Sequence, residues 1–282
     1  MAGSETGFQA ERDGDFSWIS PLGVGSSLEQ LLSYAEDEES AERILDVGCG
    51  DGTLTAALAE RYPDRTVHGI DPIAEDVAQA EERVADLDNA TVEQAYLDPE
   101  VHDPDLVYAI NMIQDTSDPA ETITDVSATV GEGGMAILTA PITGTEDLFI
   151  DPAHRYDHVE LTEHEDRLDI DWGHVRGEAH YGDDLVEQRL YAADEDGGES
   201  LVLSQYTIAL DALERFCHEA GFEIVGTGSL PCSPSGVSYF MDFLGYTEER
   251  EAWRERTERW REDPDAMDDD DLPDVYTVVL RR

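Results

Sequence analysis

The stretch Ile44-Leu-Asp-Val-Gly-Cys-Gly-Asp-Gly-Thr53 sets an acid, Asp46, ahead of glycines that alternate at positions 48, 50 and 52. Glycine lets a backbone approach a ligand closely and adopt positive φ, so a loop of this kind after an apolar strand suits a nucleotide-like cofactor. Dinucleotide sites favour G-x-G-x-x-G, with a helix N-terminus aimed at a pyrophosphate. Here the third glycine comes one residue early. Asp46 and Asp51 flank the turn, where they would repel a pyrophosphate and suit a cationic ligand. Spacing and charge therefore favour a cationic cofactor, and an NAD(P)-dependent oxidoreductase is the alternative.

The elements around this loop alternate. Residues 43–47 predict a buried strand, 48–52 a tight turn and 53–62 a helix that Pro63 stops. A strand over 66–70 ends at Asp71, and 74–87 reads as an amphipathic helix. Strands over 90–95, 105–110 and 134–140 follow, with a helix over 119–130 between the last two. Such alternation predicts a mostly parallel sheet with helices on both faces. Four regions result: an N-terminal helical cap (1–42) with Ser26-Ser27 capping a helix, a cofactor-binding core (43–141), an insertion or lid (142–204), and a C-terminal part of the core (205–282). In that last part Thr207 would cap a helix running to about Ala220, ahead of strands over 222–227 and 275–280. An acidic helical insertion (231–272) lies between them, where Tyr239, Phe240, Phe243 and Tyr246 would line an acceptor pocket or pack a lid.

Residues 45–52 resemble the first motif of class I S-adenosylmethionine-dependent methyltransferases. The resemblance implies a seven-stranded, Rossmann-like α/β sheet, its last strand antiparallel and formed by 275–280. It also implies S-adenosylmethionine as cofactor, with Asp71 accepting from both ribose hydroxyls and Ile73 against the adenine, and a catalytically silent methyltransferase-like binding protein is the second alternative. The cofactor set implied is Asp46, Gly48, Cys49, Gly50, Gly52, Asp71, Pro72, Ile73, Tyr96, Leu97, Asp98 and Asn111. Two departures stand out. The acid or amide expected after the third strand is replaced by Tyr96 and Leu97, with Asp98 as a shifted substitute. The N-P-P-Y-like motif of nucleic-acid amide methylases is absent, since Asn111-Met-Ile-Gln114 follows the fourth strand.

Composition narrows the partners. Seventeen basic residues, all arginine, oppose 67 acidic ones for a net charge of −50. This resembles proteins of salt-accumulating halophilic archaea, because a short Debye length in strong salt makes such a surface tolerable. No basic patch is available for phosphates, and no apolar run approaches a membrane span. A small-molecule acceptor and a cytoplasmic setting are expected, with no nucleic acid and no membrane. The oligomeric state is left open. Three scattered cysteines predict reduced thiols, with Cys49 a small loop residue. His154, His158 and His164, with Glu163 nearby, raise a metal site, but their acidic, loop-like surroundings favour a solvated cluster, so no metal is expected. If the acceptor must lose a proton, His154, Tyr156, His158, Gln114 and Asp115 are the candidates.

Overall fold

Strand β1 (Arg43–Val47) is buried from Ile44 onward and pairs in parallel with β2 (Thr66–Asp71) and β4 (Leu106–Ala109). Burial on both faces is why it reads as an apolar run broken only by Asp46. The computed structural model describes residues 25–38, 40–143, 153, 156–193, 198–231, 244–246, 248, 251 and 274–282. With β3 (Ala90–Gln94), β5 (Met135–Pro141), β11 (Glu223–Pro231) and β12 (Asp274–Arg281), the seven-stranded sheet runs β11-β12-β5-β4-β1-β2-β3. The C-terminal strand β12 is antiparallel to both β5 and β11, and the remaining pairs are parallel, as expected.

Each face of the sheet has its own helices and its own core. On one side α1 (Gly25–Asp37), α2 (Thr53–Arg61) and α3 (Ala74–Val84) bury Leu31, Leu54, Leu58 and Val84. On the other, α4 (Pro119–Thr129) and α5 (Leu210–Glu219) bury Ile123, Val126, Leu213 and Phe216. Asp118 caps α4 by accepting from the N–H groups of Ala120 and Glu121, each at 3.0 Å, a contact worth about 1 kcal/mol. The helix predicted to reach residue 87 stops at Val84. Its following turn carries Asn89, whose carboxamide donates to the carbonyls of Ala59, Tyr62 and Arg65 and so fixes the α2–β2 connection.

The insertion is a second sheet. Strands β6 (Glu160–Glu163), β7 (Arg167–Asp171), β8 (Val175–Tyr181), β9 (Leu185–Ala193) and β10 (Glu199–Ile208) pair antiparallel in the order β10-β9-β8-β7-β6. Leu168, Ile170, Val175, Val186 and Leu190 form one apolar cluster with Leu244 and Tyr246. The alternate positions carry ion pairs, Arg167 with Asp169, Arg176 with Glu178 and Arg189 with Glu187. The end of β10 joins the core at Ile142, and Thr143 N–H donates to Ile208 O at 2.9 Å. Thr207 is thus a strand residue whose hydroxyl meets that of Thr143, not a helix cap; α5 follows Ala209 without a side-chain cap. Most of 231–272, including Tyr239, Phe240 and Phe243, lies outside the described residues. No described helix is long and apolar enough to cross a membrane.

Candidate functional site

The carboxyl ends of β1, β2 and β4 meet at one edge of the sheet, where the chain order reverses on either side of β1. Open α/β sheets bind ligands at such a crevice. The Gly-rich loop leaves β1 there with φ of 70° at Gly48, 52° at Gly50 and 78° at Gly52, values that L side chains resist. Each glycine meets a different neighbour. A Cβ on Gly52 would stand 2.8 Å from Ala80 Cβ, so this residue lets α2 approach α3. A Cβ on Gly48 would strike Met112 at 2.8 Å, whereas at Gly50 it would meet nothing within 4 Å. Gly50 therefore borders open space among the described residues.

Asp71, 6% exposed, organises this loop. Its Oδ2 accepts from Gly50 N–H at 3.0 Å and its Oδ1 from Ile73 N–H at 2.8 Å. Each carboxylate oxygen can accept more than one hydrogen bond. Asp46, 2% exposed, accepts from Thr55 Oγ1 at 2.6 Å. Burial pushes its carboxyl up to about 7 against the pull of that hydrogen bond, and the nearby Asp71 charge adds to the rise. Asp51 corrects an expectation. It pairs with Arg83 at 2.5 Å and accepts from Thr53 N–H and Oγ1, so its charge is largely spent on Arg83 and on the start of α2. Cys49 is buried, and desolvation pushes its thiol well above the usual range, which makes it a poor nucleophile.

After β3 the chain is more open. Tyr96 is 79% exposed, while Leu97 is half-buried against the core. The exposed Asp98 accepts from Glu100 N–H at 2.9 Å and so caps its own turn. Pro72 is exposed beside Asp71, and its carbonyl takes Gln94 Nε2 at 3.1 Å.

The turn after β4 closes the other side. Asn111 is the only described non-glycine residue with positive φ, at 54°. Its N–H donates to Thr139 Oγ1 on β5 at 2.7 Å, and its Oδ1 accepts from Gln114 Nε2 at 2.9 Å. Gln114 is 4% exposed, and its Oε1 is buried without a partner among the described residues. An amide has no basicity at neutral pH, so Gln114 is unsuited to the general-base role considered for it. Asp115 is exposed on the same turn. The remaining base candidates are not brought to it by any contact described. Tyr156 stacks on Tyr246 with ring centroids 5.0 Å apart and accepts from Glu248 N–H, His158 is exposed at its edge, and His154 lies outside the described residues. Tyr246 is buried and accepts from Trp172 Nε1 at 2.7 Å, which makes it core of the second sheet. Sequence reasoning missed Thr55, Met112 and Thr139. The only signal for Thr55 was a hydroxyl just after the Gly-rich loop; Met112 and Thr139 act across strands that only the fold brings together. Among the described residues no group of three or more histidines, cysteines or carboxylates is set to hold a metal.

Known proteins share parts of this arrangement. The chain is 32% identical over 127 residues to a trans-aconitate 2-methyltransferase of Variovorax paradoxus, a match covering 45% of this chain and 47% of that protein. It thus spans about half the length of the curated relatives it matches. Among solved structures, the CcbJ methyltransferase from Streptomyces caelestis superposes with a TM-score of 0.52 at 13% identity, covering 96% of this chain and 99% of that one. The [4+2]-cyclase SpnF does so at 0.51 with 15% identity, over 96% of this chain and 85% of its own. These two likenesses speak to the fold. Residues 45–136, from β1 through the Gly-rich loop, Asp71 and the Asn111 turn to the start of β5, match the methyltransferase domain family.

Proposed function

We propose that the chain is an S-adenosylmethionine-dependent methyltransferase acting on a small-molecule acceptor. The observation that carries this reading is Asp71, buried at the end of β2, fastened to Gly50 and Ile73 by N–H groups and bordering the open space beside Gly50. A ribose fits there, with its hydroxyls donating to the two carboxylate oxygens. Once ionised, above about pH 7, Asp46 supplies negative potential beneath the loop for the cofactor's cationic end. Asp46, Gly48, Cys49, Gly50, Gly52, Asp71, Pro72, Ile73, Leu97 and Asn111 form the proposed binding set; the exposed Tyr96 and Asp98 would contribute only at its rim.

When bound, the cofactor supplies a methyl group on a sulfonium leaving group, so the protein's work is orientation. The loop and the Asn111 turn hold the donor, and the acceptor must enter from the side the second sheet adjoins. That sheet and the 231–272 segment form the proposed acceptor-specific part. Because the matched relatives are trans-aconitate methyltransferases, trans-aconitate is the first acceptor to assay. The lysine-free, strongly acidic composition supports a salt-rich cytoplasm of halophilic archaeal type as the setting. Release of S-adenosylhomocysteine in about 2 M KCl, followed over a panel of small acids, alcohols and amines beginning with trans-aconitate, tests the proposal. Acceptor-dependent release supports it; a panel without any release counts against an active methyltransferase.

A further inference from the structure

The turn after β4 contains a strained residue and an unsatisfied one, bonded to each other. Asn111 holds a left-handed conformation, pinned by Thr139 through its backbone and by Gln114 through its side chain. Gln114 makes that one bond through Nε2 and leaves Oε1 buried without a partner among the described residues, an arrangement that costs stability and that folded proteins seldom keep without use. The turn adjoins the Gly-rich loop, because Met112 fills the space a Cβ on Gly48 would need.

The direction of the amide–amide bond decides what Asn111 offers a ligand. With Oδ1 occupied by Gln114, the free end is Nδ2, which has no hydrogen-bond partner among the described residues. S-adenosylmethionine ends in an amino acid, so its site must satisfy a carboxylate as well as cations. Asp46 and Asp71 cannot do so, and every described arginine is already held by a carboxylate or by backbone carbonyls. Among the described residues a neutral N–H donor is the remaining means.

We infer that Gln114 is a positioning residue: its carboxamide fixes the orientation of the Asn111 amide, so that Asn111 Nδ2 donates to the carboxylate of the cofactor's amino-acid end. This rests on the functional reading above. If both amides turned over, Asn111 would present an acceptor to the ligand, and Gln114 would bury an unpaired Nε2.

Calorimetry with two ligands tests the inference. S-Adenosylmethionine carries the carboxylate, whereas 5′-methylthioadenosine shares its adenosine and sulfur but lacks the amino acid. Gln114→Leu should weaken the first about tenfold and leave the second unchanged, since it removes the hydrogen bond to Asn111 Oδ1. Gln114→Glu, whose carboxylate accepts but does not donate, should draw Asn111 Nδ2 to itself and show the same selective loss. Because the ratio of the two affinities is read within one variant, reduced stability does not obscure it. Equal losses for both ligands, no loss for either, or wild-type affinity in Gln114→Glu would each overturn the inference. Wild-type protein that binds neither ligand would overturn the functional reading, and this inference with it.

Discussion

Asp46 is a fully buried carboxyl with one hydroxyl partner, and replacing it by asparagine should stabilise the ligand-free protein while weakening cofactor binding. Burial raises this carboxyl from its ordinary 3.8 to about 7. The folded protein therefore keeps the proton up to about pH 7, whereas the unfolded chain releases it near 3.8. The stability linked to that proton is present at low pH and is lost as pH rises between those values. Each pH unit in that window is worth about 1.36 kcal/mol, so from about pH 5 to about pH 7 the wild type should lose roughly 2–3 kcal/mol that Asp46→Asn does not. Asparagine can still accept from Thr55 Oγ1, which preserves the local geometry. Urea melts of both proteins in about 2 M KCl, at about pH 5 and about pH 8, would give the difference of differences, from which any packing effect of asparagine cancels. A stability difference that does not change with pH would refute the reasoning, for it would mean that Asp46 titrates alike in the folded and unfolded chain.

Two further outcomes are expected. Gly50→Val should abolish S-adenosylmethionine binding with a native circular dichroism spectrum, because the side chain would enter the open space beside the loop and its φ of 52° resists a β-branched residue. Melting temperature should climb steeply from about 0.1 M to about 2 M KCl as cations screen the −50 charge, and sucrose, which is excluded from the surface without screening, should rescue much less; indifference to KCl would mean that the acidity is not a salt adaptation.

Much of the core was legible because its signals are local. Ile44, Leu45 and Val47 form an apolar run, Leu54 and Leu58 share a helix face, and glycines at 48, 50 and 52 announce a turn; each needs only a few neighbouring residues to be read. The second sheet was foreseen only as an insertion or lid. Its strands alternate Leu168 and Ile170 with Arg167 and Asp169, but which strands pair and in what register, as when Arg167 meets His180 and Asp169 meets Glu178, is set between residues well separated in the chain. Asp51 was misread for a related reason, since the arginine that takes up its charge lies in α3, far along the chain. Asn111 could be placed near the cofactor by resemblance. Its left-handed backbone is pinned by Thr139 on β5, a contact between separate strands that no spacing encodes.

The central claim is that Asp71 and the Gly-rich loop bind S-adenosylmethionine. Titration calorimetry of the wild type and Asp71→Ala with S-adenosylmethionine, and of the wild type with NAD+, tests it most directly. The account predicts saturable binding of S-adenosylmethionine, none of NAD+, and a loss on the order of 1.5 to 3 kcal/mol in Asp71→Ala, the value of hydrogen bonds to a charged acceptor. Binding of NAD+ in preference to S-adenosylmethionine, or unchanged affinity in Asp71→Ala, would contradict it.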